Sequence, residues 1–311
     1  MESLVKGLHH VTAIAGNPVK NHRFYSHILG LRFVKKTVNF DSPFTYHFYF
    51  GDEVGNPGTI MTFFPWGAGV QQGKRGSGMT TEVSFAVPVG SLEFWVKRLD
   101  QYNVIYNKPS TKLGDRYLVL LDPDGLKIEL VETDKLKSSE WTTSEIDENV
   151  AIKGLYGVTL TLKSIEATEA VLVEALGFTK KSTEVNRHRF ISEDENHYSV
   201  VDLVHIPSEG EGLVASGTIH HIAFNVASVE DGLKVGKILN SLNIAVTEVR
   251  DRNYFKSIYF REPGGVMFEI ATAEPGFMID EDFDDLGKGL KLPAEFESKR
   301  ELIESRLIEI K

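Results

Sequence analysis

The sequence predicts an α+β fold of four βαβββ modules, paired one with four and two with three into two cup-shaped mixed-sheet domains. Three observations carry this. One order of elements, a strand, a helix and then about three strands, recurs four times along the 311 residues. Equivalent places in different repeats share sequence: Ile28-Leu29-Gly30-Leu31 is echoed by Ala175-Leu176-Gly177-Phe178, and Asp122-Pro123-Asp124-Gly125 by Glu262-Pro263-Gly264-Gly265. Finally, a His-His pair opens both the first and the fourth repeat, His9-His10 and His220-His221. A unit this small cannot bury a core alone, so the repeats must pair.

Module one (about 5–66) opens on the strand Leu8-His9-His10-Val11-Thr12-Ala13-Ile14. Its helix is expected from about Pro18 to Leu29, stopping at Gly30 as a C-cap glycine. Module two (about 78–132) opens on Thr81–Val87, with a helix across Ser91–Leu99. Module three (about 153–206) opens on Leu155–Leu162, and module four (about 216–273) opens at Ile219 with a helix from about Val229 to Leu242. The halves 1–132 and 153–273 are thus joined by a polar linker, 133–152. A tail, 274–311, carries the acidic run Asp280–Asp285 and a terminal helical pattern from about Pro293. The acidic run reads as a solvated loop, with a lid over a cup as the alternative.

Composition narrows the function classes. Hydrophobic content of 41% and charged content of 25% are those of a globular protein. No run approaches the ~18 apolar residues of a membrane span, and the first residues lack the apolar stretch of a signal peptide. With no cysteine, disulfides, thiolate ligands and a cysteine nucleophile are excluded. A formal net charge of −10 without a basic block argues against nucleic acid. The expectation is a cytoplasmic protein acting on a small molecule, with no nucleic-acid or membrane partner.

Strand alternation selects the chemistry-bearing side chains. In module four Ile222, Phe224 and Val226 suit packing under the helix, so His221 and Ala223 face the other way. In the closing strand Val266, Phe268 and Ile270 take the apolar side, leaving Met267 and Glu269 opposite. In module one His10 and Thr12 share that concave side. Two histidines and one carboxylate are the facial triad of a non-haem Fe(II) site with open positions. His9 and His220 cannot share the direction of their neighbours unless each strand begins with a bend. The second cup would carry Glu82 and Glu129 but no histidine, so one metal per chain is expected. His47 reads as a hydrogen-bonded core histidine and Glu129 as a solvated or hydrogen-bonded strand-end carboxylate. Asn186-Arg187-His188-Arg189 reads as a solvated turn or a contact to the tail or active cup. Phe63, Phe64, Trp66 and Phe255 read as core or cup lining.

This arrangement resembles the vicinal oxygen chelate superfamily of glyoxalases, bleomycin-resistance proteins and extradiol dioxygenases, over nearly the whole chain. Within it, the hydroquinone-type ring-cleaving dioxygenases are the nearest resemblance. The passages that carry it include Leu8-His9-His10-Val11-Thr12, Gly55-Asn56-Pro57-Gly58, Ile219-His220-His221 and Gly264-Gly265-Val266-Met267-Phe268-Glu269. The resemblance implies an Fe(II) enzyme, Mn(II) in some relatives, with His10, His221 and Glu269 as ligands. It also implies that Thr12, Tyr259, Arg252, His9 and His220 stand around the metal, and that the partners are a small aromatic substrate and O2. The fourth ligand position of glyoxalase-type isomerases would fall at Thr62 or Phe63, neither a useful ligand. A glyoxalase-like isomerase or thiol transferase is the alternative among enzymes, and a non-catalytic protein binding an aromatic compound or antibiotic is the alternative outside them. Module edges that pair within or between chains leave a homo-oligomer open.

Overall fold

A computed structural model describes residues 3–310. Met1, Glu2 and Lys311, at the outer ends of the first unit and the tail expected from sequence, lie outside the described residues. Module one contributes β1 (Val5–Ala15), β2 (Arg32–Asn39), β3 (Ser42–Gly51) and β4 (Ile60–Pro65). Module two contributes β5 (Met79–Val87), β6 (Ser110–Lys112), β7 (Asp115–Leu121) and β8 (Lys127–Glu132). Module three contributes β9 (Gly154–Leu162), β10 (Thr179–Glu184), β11 (Arg187–Glu193) and β12 (Tyr198–His205). Module four contributes β13 (Thr218–Val226), β14 (Arg250–Asp251), β15 (Phe255–Arg261) and β16 (Met267–Pro275). Two eight-stranded sheets result, β14-β15-β16-β13-β1-β4-β3-β2 and β10-β11-β12-β9-β5-β8-β7-β6. Modules one and four therefore share one sheet, and modules two and three the other.

The helices follow local signals. In module one, α1 (Pro18–His22) starts with Asn17 accepting hydrogen bonds from Val19 N and Lys20 N and with Pro18 in the first turn. It continues as a π-helical stretch, Arg23–Ile28, and ends before Gly30 at φ 75°, a conformation that favours glycine. The helices of modules two and three are α2 (Leu92–Gln101) and α3 (Glu166–Ala170), the latter also running into a π stretch. In module four, α4 (Val229–Ser241) is capped by Ser228, which accepts from Asp231 N. Gly232, Val235, Gly236 and Leu239 form its buried face, at the spacing of one helical stripe. Beneath lie Ile222, Phe224, Val226 and Phe268, all buried in the main core. The apolar face assigned by alternation is thus the helix-covered face, and the histidine face is left to the cup.

The linker, 133–152, contains no strand or helix, and the tail ends in a 3-10 turn (Ala294–Lys299) and α5 (Arg300–Glu304). The acidic run is solvated over 282–285, as expected, but is anchored at its start rather than forming a lid. Asp280 and Glu281 both lie 2.5 Å from the buried Lys35 ammonium on β2, and Tyr254 donates to Asp280. Burying a lysine requires such a partner. None of Asp280–Asp285 lines the cup cavity. No helix among the described residues is long and apolar enough to cross a membrane.

Candidate metal centre

The strand registers place the cup residues. Along the β1–β13 pair, Leu8 faces Phe224 and His10 faces Ala223, so His9 is an extra residue on β1. Farther along, Thr12 faces His221 and Ala13 faces Ile219, so His220 is an extra residue on β13. Each His-His pair therefore sits on a β-bulge, which re-aims a side chain next to a site. The bulges supply the bend that alternation required. His9 packs 5.2 Å from the Phe255 ring and 5.0 Å from the His10 ring.

His10, His221 and Glu269 converge. His10 Nε2 lies 3.4 Å from His221 Nε2 and 3.3 Å from Glu269 Oε2, and His221 Nε2 lies 3.0 Å from the same oxygen. All three are buried, Glu269 completely. The remaining atoms of the three groups are tied outward. Ser257 Oγ donates to Glu269 Oε1. His9 Nε2–H donates to the Thr272 carbonyl at 3.0 Å, so the neutral His9 ring has only Nδ1 left as an acceptor. The 2.9 Å contact between His9 Nδ1 and His10 Nδ1 then requires the proton on His10. His10 Nε2 is consequently a bare lone pair aimed at the centre. A matching 2.7 Å contact joins His220 Nδ1 to His221 Nδ1, and a His221 Nδ1–H leaves its Nε2 bare in the same way. His9 thus fixes the tautomer of His10, the usual duty of a group behind a metal ligand, and His220 stands in the same place behind His221.

Electrostatics agree with this assignment. Burial and then His10 lower the His9 pKa to about 3, so its ring is neutral. His220, exposed at one edge, is lowered to about 4 by its surroundings and by His221. Burial alone would raise the Glu269 carboxyl, but in the metal-free cup positive charge on the His10 and His221 rings holds it well below the usual carboxylate range, a charge that a bound cation would supply in their place. Glu269 Oε2 is buried and accepts no hydrogen bond, a costly condition for a carboxylate oxygen unless a cation meets it. Three converging lone pairs on two nitrogens and one oxygen fit a divalent transition metal.

A cavity of about 400 Å³ opens over this centre. Its walls are largely rings: His47, Tyr49, Phe64, Trp66, His220, Phe255 and Tyr259. Arg252 donates from Nε to the Tyr259 hydroxyl at 3.1 Å and lies 3.7 Å from Asp41. Tyr259 faces Glu269 across the β15–β16 pair, and burial raises its pKa, so the phenol keeps its proton. Thr12 is wholly buried and bonds Thr62 at 2.8 Å rather than lining the cavity.

Of the aromatics read as core or cup lining, Phe64, Trp66 and Phe255 line the cavity and Phe63 is core. Arg187 and Arg189 lie in neither a solvated turn nor the active cup. They begin β11 and bind Asp202 inside the second sheet. Of the two readings of Glu129 the hydrogen-bonded one holds: it is buried, accepting from Ser84 and Lys112. His47 is hydrogen-bonded as expected, yet it also faces the cavity. Sequence reasoning passed over Ser257 and the cavity role of His47. Aligning His47-Phe48-Tyr49-Phe50 with Ser257-Ile258-Tyr259-Phe260 as equivalent strands would have exposed both.

The fourth ligand position is fixed by equivalence. Two residues beyond His221, Ala223 pairs with Glu269; two residues beyond His10, Thr12 pairs with Thr62. Thr62, and not Phe63, stands where a fourth ligand would.

Comparison with known proteins agrees with this architecture. Residues 7–130 and 156–270 match the Glyoxalase/Bleomycin resistance protein/Dioxygenase superfamily. The chain is 44% identical over 308 residues to the Bacillus subtilis (strain 168) protein named "Putative ring-cleaving dioxygenase MhqO", covering 99% of this chain and 97% of that one. It is 33% identical over 305 residues to the chlorohydroquinone/hydroquinone 1,2-dioxygenase of Sphingobium indicum, covering 96% and 94%. A solved Bacillus subtilis structure described as a "putative dioxygenase" matches with a TM-score of 0.95 at 43% identity, over 100% of this chain and 99% of that one. With two half-barrel sheets built from four repeats and matches along nearly its whole length, this chain belongs to the glyoxalase/bleomycin resistance/dioxygenase superfamily.

Proposed function

We propose that the protein is a ring-cleaving dioxygenase that holds iron(II), with manganese(II) as the alternative, through His10, His221 and Glu269, and opens a hydroquinone-like dihydroxy aromatic ring. The observation that carries this reading is the three-ligand set with Thr62 in the fourth position. Three protein ligands on a six-coordinate ion leave room for both a substrate oxygen and dioxygen. An isomerase needs no site for a gas. The relatives named ring-cleaving and hydroquinone dioxygenases support the same direction.

Iron(II) bound here would acidify a coordinated phenol and activate dioxygen. The chain's own residues do the rest. The ring-lined walls hold a flat substrate and keep water out. Tyr259, its oxygen already accepting from Arg252, keeps its O–H to donate to negative charge developing on substrate or oxygen. The Arg252 guanidinium offsets that charge. His9 and His220 keep the ligand rings in the required tautomer and orientation, and Thr12 braces the wall beneath.

Oxygen uptake by protein loaded anaerobically with Fe(II), with a panel of hydroquinones and catechols, tests the reading. Uptake matched to loss of the ring is expected, falling roughly 10²-fold in metal-replete Tyr259→Phe, the scale of one lost oxyanion donor. Metal-replete protein that consumes no oxygen with any of these rings, yet isomerises a hemithioacetal, would establish the isomerase instead.

A further inference from the structure

Among the described residues, His47 is the one cavity-lining imidazole outside the two His-His pairs, and the ligand set makes no use of it. It sits on β3, and β4 lies between it and β1. Its ring is held from three sides: Tyr49 hydroxyl 2.8 Å from Nδ1, Thr62 Oγ1 3.0 Å from Nε2, and the Phe64 ring at 4.4 Å. The Tyr49 phenol is fully buried among Tyr254, Phe255 and Phe277, where a phenol hydrogen finds no other acceptor. Tyr49 therefore donates to Nδ1, and the proton of the neutral ring resides on Nε2. That Nε2–H points from β3 towards β4, the direction of the metal centre. Its present acceptor, Thr62, is expendable, because Thr62 also bonds Thr12 at 2.8 Å.

The equivalence of the two modules sharpens this. His47 and Ser257 occupy matching places, two residues before Tyr49 and Tyr259. In module four, Ser257 serves the ligand Glu269. In module one there is no ligand to serve, and the place holds a longer, cavity-facing donor. His47 Nε2 lies one hydrogen bond, 3.0 Å, beyond the Oγ1 of Thr62, the residue in the fourth ligand position. A ring held at the metal by one oxygen carries its para oxygen outward past that position. A catechol would bring both oxygens to the metal and leave His47 without a partner.

We propose that His47 reads the far hydroxyl of the substrate: its Nε2–H passes from Thr62 to the ring oxygen para to the one at the metal, selecting 1,4-dihydroxy over 1,2-dihydroxy and monohydroxy rings. The proposal rests on the ring-cleaving reading above and adds the residue that sets the substitution pattern.

Anaerobic calorimetry of hydroquinone and phenol on the Fe(II) protein tests it, alongside the ratio of kcat/KM for hydroquinone and catechol. Wild type is expected to prefer hydroquinone to phenol about tenfold, the scale of one hydrogen bond. His47→Phe, which keeps a ring against Phe64, should hold the metal stoichiometrically and lose that preference. His47→Gln, with an amide N–H near the place of Nε2, should restore part of it. Thr62→Val removes the competing acceptor, together with the hydrogen-bond partner of Thr12, and should keep or raise the preference in folded, metal-replete protein, so it stands in if His47→Phe does not fold. Full preference in folded, metal-replete His47→Phe, or loss of preference in Thr62→Val, overturns the proposal. Wild type that binds hydroquinone and phenol equally overturns it while leaving ring cleavage intact. Wild type that retains metal but binds no ring strikes the ring-cleaving reading itself, and this proposal with it.

Discussion

By register, Glu82 in the second sheet answers to His221 in the first, Glu129 to Glu269, Gly157 to His10 and Asp202 to Thr62. The bulges correspond too, with Thr81 and Tyr156 as the extra residues where the first sheet has His220 and His9. What differs is how negative charge is met. Lys112 Nζ lies 2.5 Å from Glu129 and 4.0 Å from Glu82; Lys127 lies 2.5 Å from Glu82; Arg187 reaches Glu82 and Asp202. Arg189 binds Asp202 and Asp115. Four carboxylates thus meet four built-in cations, and no charge is left for an ion from outside. In the first cup no lysine or arginine forms an ion pair with Glu269 among the described residues: Ser257 donates to one oxygen and the His10 and His221 nitrogens face the other. One backbone plan becomes a self-neutralised interior in one place and a cation receptor in the other.

The largest expected effect separates the cups outright. His10→Ala, His221→Ala and Glu269→Ala should each abolish metal retention, because each removes one of three anchoring atoms and a metal site is stabilised by all of them together. Glu129→Ala, at the position equivalent to Glu269, should leave the metal content of folded protein unchanged. Metal analysis after gel filtration decides. Stoichiometric iron in folded Glu269→Ala would remove the carboxylate from the centre, and iron loss in folded Glu129→Ala would mean that the second cup takes part.

Much of this contrast was legible in the sequence, for identifiable reasons. The triad could be read because Ile222, Phe224 and Val226 on one face leave only the other face for His221, and Val266, Phe268 and Ile270 do the same for Glu269. Module pairing followed, since ligands in modules one and four can meet only if those modules share a sheet. The directions of His9 and His220 could not be read, because a bulge breaks the alternation used to assign faces. Lys112, on the three-residue strand β6, was invisible for a related reason. A strand that short carries too little periodicity to show which side chain turns inward. Arg187 and Arg189 look solvated in sequence because their neutralising partners, Asp202 and Asp115, are distant along the chain. Charge pairing across a sheet leaves no local trace.

A smaller effect probes the second cup alone. Lys112→Met keeps most of the stem and deletes the charge between Glu129 and Glu82. Breaking a buried pair by removing one partner costs about 3–5 kcal/mol, so the urea midpoint of the metal-free protein should fall substantially. Iron content and turnover per folded molecule should not. A variant that unfolds as late as wild type would show that the network contributes little net stability, and one that stays folded but loses iron would couple the two cups.

The smallest effect lies in acid. Burial would raise the Glu82 carboxyl, but Lys127, Arg187 and Lys112 hold it down to about 2. A carboxylate held below its ordinary value of 4.5 contributes stability that is complete above that pH and is lost as pH falls towards 2. Metal-free protein should therefore lose urea stability across this window, with a slope of at most about 1.4 kcal/mol per pH unit from this one group. Metal-free protein is the right sample, since proton competition for the first cup would otherwise add its own slope. Glu82→Gln should start less stable at neutral pH, because Lys127 and Arg187 lose their shared partner. It should then fall less steeply through the same window, since its amide takes up no proton. Equal slopes for the two proteins would assign the acid sensitivity to another carboxylate and leave Glu82 as a partner in the network without its pH dependence.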